Sequence, residues 1–496
     1  MTMKTPIFTS NYLPNSKVNN PHATRLGRAI APATAGHPGL SGIHPLADSL
    51  DAFAARYLLC GMAEKTLDVQ YYIWQDDMSG RLMFSALLAA ADRGVKVRLL
   101  LDDNNTNGLD DTLALLNAHP QIEVRLFNPF SFRLFRAIGY LTDFARLNRR
   151  MHNKSFTVDG ETTIIGGRNV GDAYFGVGKQ PLFSDLDVLA VGPVVEDVSQ
   201  DFERYWNSQC VSTLEKVLDV DTDALQQRVQ LPDDWRDDPT ARRYLDRLTT
   251  SQFATNLVAR TLNMYWAKTR LLSDDPRKGQ GRARNHTLLP QRLMNVIGMP
   301  EREIDIISAY FVPTRAGIAQ ILGLVRKGVK IAILTNSLAA NDVAVVHAGY
   351  ARWRKKLMRH GVELYELKPE QDGRLRRPHD RGLTGNSGSS LHAKTFSVDK
   401  QKVFIGSFNF DPRSAMLNTE MGFVIESEAL AQDIHQRFTQ SQKENAWALR
   451  LDKWGRVNWV EHSEGKEIVW KKEPHTRFWQ RVLVRLVYRL PIEWLL

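Results

Sequence analysis

The sequence predicts an α/β protein built from two copies of one unit. Three observations carry this reading. A strand–helix–strand pattern recurs at a nearly constant offset, a His-x-Lys motif recurs in register with it, and 496 residues suffice for two such units with connections.

In the first copy, residues 67–73 are a short apolar run rich in β-formers, a buried strand. Residues 80–91 have helical spacing and helix formers, and Gly94 stops that helix before a second strand at 95–101. Residues 304–310, 316–326 and 329–334 repeat this order, and a third strand at 122–126 matches 362–366. Each set is a βαβ unit, so its strands run parallel. The expected halves span 46–210 and 290–445. A charged, mostly helical connecting segment is expected at 211–289, a flexible lead-in at 1–45 and an extension at 446–496. The connecting segment holds a basic, glycine-containing loop at 277–284, which reads either as solvated linker or as a phosphate-gathering loop.

Composition narrows the class. Apolar content of 43% and charged content of 24% are ordinary for globular proteins and exclude a disordered, collagen-like or coiled-coil chain. Two cysteines, Cys60 and Cys210, exclude a disulfide framework and suit a reducing compartment. The net charge of +10 points to an anionic partner, nucleic acid or membrane. No run of about 18 apolar residues occurs, so no membrane-spanning helix is expected.

The chemistry is written twice. His152, Lys154, Asp159 and Asn169 share one spacing with His392, Lys394, Asp399 and Asn409, 240 residues on. Residues 155–158 and 163–165 read as a hairpin turning at Asp159-Gly160. His and Lys two apart on extended chain emerge on one face, and Asn169 leaves the next strand through a glycine turn. An imidazole, an ammonium and an amide together suit phosphoryl chemistry: a nucleophile or acid, plus donors for the equatorial oxygens of phosphorus. Two imidazoles allow one to attack and the other to protonate the leaving alcohol. A carboxylate on the second imidazole nitrogen fixes the tautomer. The candidates are Glu420, on a strand after His392, and Asp185, its counterpart in the first half, with Asp187 as the alternative to Asp185. Asp159 and Asp399 belong to the motif, but the strand–turn register points them away from the pocket, where they are expected to fix the turns.

These two motifs resemble those of the phospholipase D superfamily. The segments Asp68-Val69-Gln70-Tyr71-Tyr72-Ile73-Trp74, Asn148-Arg149-Arg150-Met151-His152-Asn153-Lys154 and Gly406-Ser407-Phe408-Asn409-Phe410-Asp411-Pro412-Arg413-Ser414 are similar to those of the bacterial cardiolipin synthases. The resemblance departs from most of that group in having no N-terminal membrane-spanning helices. It implies two α/β/α sandwiches related by a pseudo-twofold axis, with one active site at their junction. It also implies catalysis without metal or cofactor through a phosphatidyl-histidine, with His152 as nucleophile and His392 as acid. Phosphatidylethanolamine as donor and phosphatidylglycerol as acceptor follow from it too, as does a peripheral place on the cytoplasmic face of the bacterial inner membrane. Arg149, Arg150, Arg168, Arg377 and Arg413 are the candidate headgroup contacts.

Arg477, Arg481, Arg485 and Arg489 recur every four residues, among apolar residues that include Trp479, ahead of a terminal Trp494-Leu495-Leu496. A helix at about 476–490 would be basic, amphipathic and suited to an anionic bilayer surface. The alternative is a helix docked on the domain. Basic residues also precede each histidine: Arg133, Arg136, Arg146, Arg149 and Arg150, then Lys368, Arg374, Arg376, Arg377 and Arg381. They read as flanks of the site's mouth or as solvated loops. The stretch at 131–140 is amphipathic and could dip into the interface.

Rival functions are a hydrolase of the same chemistry, a transferase using two phosphatidylglycerols, a nuclease, and a membrane-binding protein with a dead site. The terminal Arg helix argues against a nucleic-acid partner, and two complete motifs argue against a dead site. Oligomeric state is not legible.

Overall fold

The fold is that of a computed structural model, which describes residues 23–131, 133, 136–176, 183–218, 238–341, 344–369, 390–463 and 466–487. In the first half, β1 (Ser41–Leu46) precedes three parallel strands, β2 (Thr66–Tyr71), β3 (Lys96–Asp102) and β4 (Ile122–Phe127). Helix Met78–Asp92 makes the crossover between β2 and β3, capped by the Asp77 carboxylate. β5 (Ser155–Val158) and β6 (Thr162–Gly166) form the expected motif hairpin. β7 (Phe183–Ser184), β8 (Asp187–Val191) and β9 (Val211–Thr213) follow. The sheet order is β9-β4-β3-β2-β5-β6-β8-β1. It is mixed: only β2, β3 and β4 run parallel, because the tight hairpin forces β5 and β6 antiparallel.

The second half repeats this sheet order. Its members are β10 (Tyr265–Ser273), β11 (Glu303–Ser308), β12 (Lys330–Asn336), β13 (Glu363–Leu367), β14 (Ser390–Leu391), β15 (Lys394–Val398), β16 (Lys402–Gly406), β17 (Met421–Glu426) and β18 (Ala446–Leu451). The order is β18-β13-β12-β11-β15-β16-β17-β10. β19 (Val457–Ser463) and β20 (Lys466–Trp470) add a meander beyond β18.

The halves meet at a seam. β1 pairs antiparallel with β10, joining both sheets edge to edge. Over that seam Ile43, Ile165 and Val188 pack with Ala267, Ile405, Phe423 and Ile425 in one buried cluster from both halves. Burying apolar surface from both units, at about 25 cal/mol per Å², favours their docking.

Three segment expectations change. Within the expected lead-in, helix Arg25–Ala35 precedes β1, which belongs to the seam. The connecting segment is not one helical spacer. β9 finishes the first sheet, helices Pro239–Thr250 and Gln252–Ala259 pack on helix Ser49–Met62 of the first half, and β10 is already part of the second sheet. The basic loop is solvated at Arg277, Arg282 and Arg284, which are exposed, but not at Lys278. Lys278 is buried and binds Asp274 at 2.8 Å and the Ser414 carbonyl at 2.9 Å, while Arg277 is held by Asp275. The C-terminal extension adds strands to the second sheet before helix Phe478–Val487. Among the described residues no helix is long and apolar enough to cross a membrane.

Candidate active site

Both histidines sit at the start of a motif strand, on the junction of the two halves. Their approach is cross-braced. The His152 amide donates to the Thr419 carbonyl, and the Thr419 amide to the Arg150 carbonyl, each at 2.9 Å. On the other side β14, just before His392, pairs in parallel with β7, just before Asp185. Each histidine segment therefore lies against the segment that brings in a carboxylate from the opposite half.

The carboxylates cross accordingly. His152 Nδ1 lies 2.8 Å from Glu420 Oε2, and His392 Nδ1 lies 2.5 Å from Asp185 Oδ2. Both carboxylates are fully buried. Asp185, not Asp187, takes this role; Asp187 is tied to Arg56 at 2.8 Å and supports the core of the first half. With Nδ1 engaged by a carboxylate, each imidazole turns Nε2 to the pocket as its reactive nitrogen.

The lysines complete the cluster. Lys154 Nζ donates to the His152 carbonyl at 2.6 Å, and Lys394 Nζ donates to the His392 carbonyl. Both are buried. Burial pulls Lys154 down to about 7, against the attraction of Glu420. Burial and then Lys154 and Lys394 hold His152 well below its ordinary value, and burial with Lys394 also lowers His392. Each histidine is lowered in part by the lysine of the other motif, so the two motifs lie within electrostatic reach of one another at the junction.

The two carboxylates differ. Burial pushes Glu420 up to about 7, despite Lys154 and a 2.5 Å hydrogen bond donated by Ser407 Oγ, and its Oε1 is buried without a hydrogen-bond partner among the described residues. Asp185 is also buried, but His392 and Lys394 override that and hold it below the usual carboxylate range. The counterpart of Ser407 is Gly167, where any Cβ would collide with the Asp185 carboxylate. Ser407 was quoted in the sequence motif without a role; the structure gives it one. Two aromatic rings were not anticipated at all: Tyr72 stands edge-on to His152 at 4.9 Å, and Tyr174 edge-on to His392 at 5.2 Å. Asp274 was also missed; its Oδ2 accepts from the Glu420 amide at 3.0 Å. No local spacing marks it.

The amides are where the motif puts them. Asn169 accepts from the Ile73 amide at 3.1 Å, which leaves its side-chain nitrogen buried and without a partner among the described residues. Asn409 is buried as well. Asp159 and Asp399 stand outside the pocket. Asp159 accepts from the backbone amides of Glu64, Lys65 and Thr66, and Asp399 from those of Glu301, Arg302 and Glu303. Both sit at φ 54, a left-handed turn position that Asp tolerates. Neither takes part in the histidine cluster: each holds its turn to the strand beside it.

Two of the five candidate headgroup arginines are corrected too. Arg150 is fully buried, paired with Asp102 at 2.9 Å and bonded to three carbonyls, those of Phe127, Asn128 and Leu147. Arg168 is buried and binds the carbonyls of Leu46, Ala47 and Asp185. Both are structural because a buried guanidinium needs its donors satisfied within the fold. Arg149 and Arg413 are half-buried at the junction: Arg149 reaches the Met416 carbonyl at 3.2 Å, and Arg413 binds the Asn148 side chain at 2.7 Å. Arg413 is close enough to help lower His152. Arg133, Arg136 and Arg146 are engaged by Asp103, Asp110, Asp143 and nearby carbonyls, and do not flank a mouth. Lys368 pairs with Glu461 at 3.5 Å. Arg374, Arg376, Arg377 and Arg381 lie outside the described residues, as do Arg489 and Trp494.

In helix Phe478–Val487, Val484 is buried against Leu338 and Ala348, so the helix is docked on the second half. Trp479 is nonetheless 75% exposed, with Leu483 and Leu486 exposed beside it, and Arg477 and Arg485 are exposed. The two readings of this helix, docked and surface-active, are compatible in one structure. In the stretch before His152, Ile138, Leu141 and Phe144 are exposed as well.

Known proteins match this architecture. The family described as "Cardiolipin synthase, PLD-like domain" matches residues 59–206 and 293–442, one match to each half. Cardiolipin synthase C of Escherichia coli (strain K12) is 69% identical over 474 residues, covering 95% of this chain and all of that protein. Cardiolipin synthase B of Shigella flexneri is 26% identical, over 75% of this chain and 73% of its own. The crystal structure of phosphatidylserine synthase from Haemophilus influenzae Rd KW20 shares the fold, with a TM-score of 0.58 at 13% identity, covering 94% of this chain and 100% of that one. The chain belongs to the cardiolipin synthase family, and the PLD-like domain of that family matches it twice.

Proposed function

We propose that this chain makes cardiolipin by phosphatidyl transfer, with phosphatidylethanolamine as donor and phosphatidylglycerol as acceptor. The observation that carries the reading is the pair of crossed histidine–carboxylate contacts in one pocket. His152 Nε2 attacks the donor phosphorus as the bond to the ethanolamine oxygen breaks. His392 gives its proton to that oxygen. The primary hydroxyl of phosphatidylglycerol then returns a proton to His392 and attacks phosphorus, and the bond from phosphorus to nitrogen breaks. Lys154, Lys394 and the free amide nitrogen of Asn169 hold the phosphoryl oxygens.

Two features support giving His152 the nucleophilic role. A neutral imidazole is required for attack, and Glu420, raised to about 7 by burial, favours protonation of His152 less than an ionised carboxylate does. Asp185 stays ionised beside His392 and so favours the protonated, acid form there. The phosphate charge of bound lipid acts against burial and the lysines, which hold both imidazoles below their ordinary value. The exposed Trp479, Leu483 and Leu486 support peripheral contact with the bilayer, which the inner-membrane, cytoplasmic-face reading requires.

Purified protein incubated with headgroup-labelled phosphatidylethanolamine and unlabelled phosphatidylglycerol should release labelled ethanolamine and form cardiolipin. Phosphatidic acid without cardiolipin would mean hydrolysis instead. Cardiolipin with glycerol released and no ethanolamine would mean that two phosphatidylglycerols react.

A further inference from the structure

Away from the histidines, a cavity of about 880 Å³ opens between helix Ala344–Arg359, the β19–β20 meander and the C-terminal helix. Lys355, Arg456, Lys471, Lys472, Arg481 and Arg485 line it. Its one acidic lining residue, Glu473, is already held by Arg354 at 2.6 Å and His347 at 3.3 Å. The other charges therefore add up to a strongly cationic wall. No lining residue belongs to either His-x-Lys motif, and the cavity draws only on the second half and its extension among the described residues.

The apolar surface beside it is specific in its placement. At about 100° per residue, Arg481, Arg485 and Phe478 fall on the cavity side of the helix, Val484 and Val487 on the docked side, and Trp479, Leu483 and Leu486 on the third. That third stripe is 75%, 48% and 60% exposed at these positions. A phosphate-sized anion fits the cavity, and acyl chains fit the stripe next to it. Nucleic acid has no use for such a stripe.

We infer that this cavity binds the phosphate headgroup of an anionic phospholipid and so holds the protein on the bilayer at a point separate from the active site. The inference rests on the peripheral-membrane reading above and adds to it a defined headgroup site.

The test uses the full chain and two readouts. The first is co-sedimentation with vesicles of phosphatidylcholine alone, or of phosphatidylcholine with phosphatidylglycerol. The second is calorimetric binding of monomeric short-chain phosphatidylglycerol, with inorganic phosphate and a single-stranded oligonucleotide as comparisons, in protein whose His152 is replaced by Ala to prevent turnover. The parent should bind the anionic vesicles and the short-chain lipid. Lys471→Glu with Lys472→Glu and Arg485→Glu should weaken vesicle binding by about tenfold or more and remove one of two short-chain binding sites, leaving the one at the histidines. In the otherwise unmutated chain these changes should leave turnover of detergent-dispersed lipid unchanged. The milder Lys→Gln and Arg→Gln set, with an unaltered melting temperature, guards against misfolding and should lose binding in the same order. Trp479→Ser with Leu486→Ser should lose vesicle binding but keep the short-chain lipid. A parent that ignores vesicles yet binds short-chain phosphatidylglycerol through these cations would sink the membrane reading and leave the headgroup site standing. Charge-reversed protein that binds both like the parent would overturn the inference. So would inorganic phosphate binding as well as the lipid, or an oligonucleotide binding better.

Discussion

His152 and Glu420 stand 268 residues apart in the chain and 2.8 Å apart in the fold, and the carboxylate that orients the first histidine belongs to the second half. The partner relationship, His392 with Asp185 across 207 residues, runs the other way. Neither half holds a complete histidine dyad. Activity therefore requires the docked pair.

Glu420→Gln and Asp185→Asn should each lower turnover by about 10²–10⁴-fold, since an amide in place of a carboxylate loses the charge that steadies the imidazole. Circular dichroism should stay unchanged. A variant with near-parent turnover would detach its carboxylate from the mechanism.

An activated donor separates the histidines. With a lipid ester whose leaving group needs no proton, such as p-nitrophenol, His392→Ala should still release a burst and retain label on the protein. His152→Ala should do neither. The reverse pattern would exchange the two roles.

Arg150 is a test of the structural assignment. Arg150→Met leaves the Asp102 carboxylate buried and unpaired, which costs about 3–5 kcal/mol. The melting temperature should fall by several degrees, while the KM of protein still folded at low temperature stays at the parent value. A raised KM with parent stability would restore Arg150 to the headgroup.

Glu420 also ties stability to pH. Its folded value, about 7, lies above the ordinary 4.5, so the folded state holds a proton that the unfolded state has lost between those values. Its contribution is complete below about 4.5 and is lost as pH rises through about 7. Glu420→Gln removes that loss. The melting temperature of the variant minus that of the parent should climb across this window and level off above it; a flat difference would contradict the assignment.

Much of the site is legible because its logic is local. Two residues apart on extended chain means one face of a sheet, which places His152 with Lys154. A turn at Asp159-Gly160 points Asp159 away from the pocket, onto the amides before β2. The arginines were misread for the opposite reason. A sequence displays the sign of a charge but not its partner, and the partner of Arg150 is Asp102, 48 residues back on β3. The charge run before His152 therefore read either as a mouth or as a solvated loop, although Arg133, Arg136 and Arg146 are spent inside the first half.

By itself the sequence determined the duplication, the βαβ order of each half, the histidine, lysine and asparagine of each motif, and the two candidate carboxylates, because each follows from spacing within one segment. The tertiary structure alone decided which carboxylate serves which histidine, that β1 and β10 join the halves into one sheet, and that Ser407 and Gly167 make the two dyads unequal. These depend on how two finished units dock, and docking is set by surfaces assembled from residues far apart in the chain.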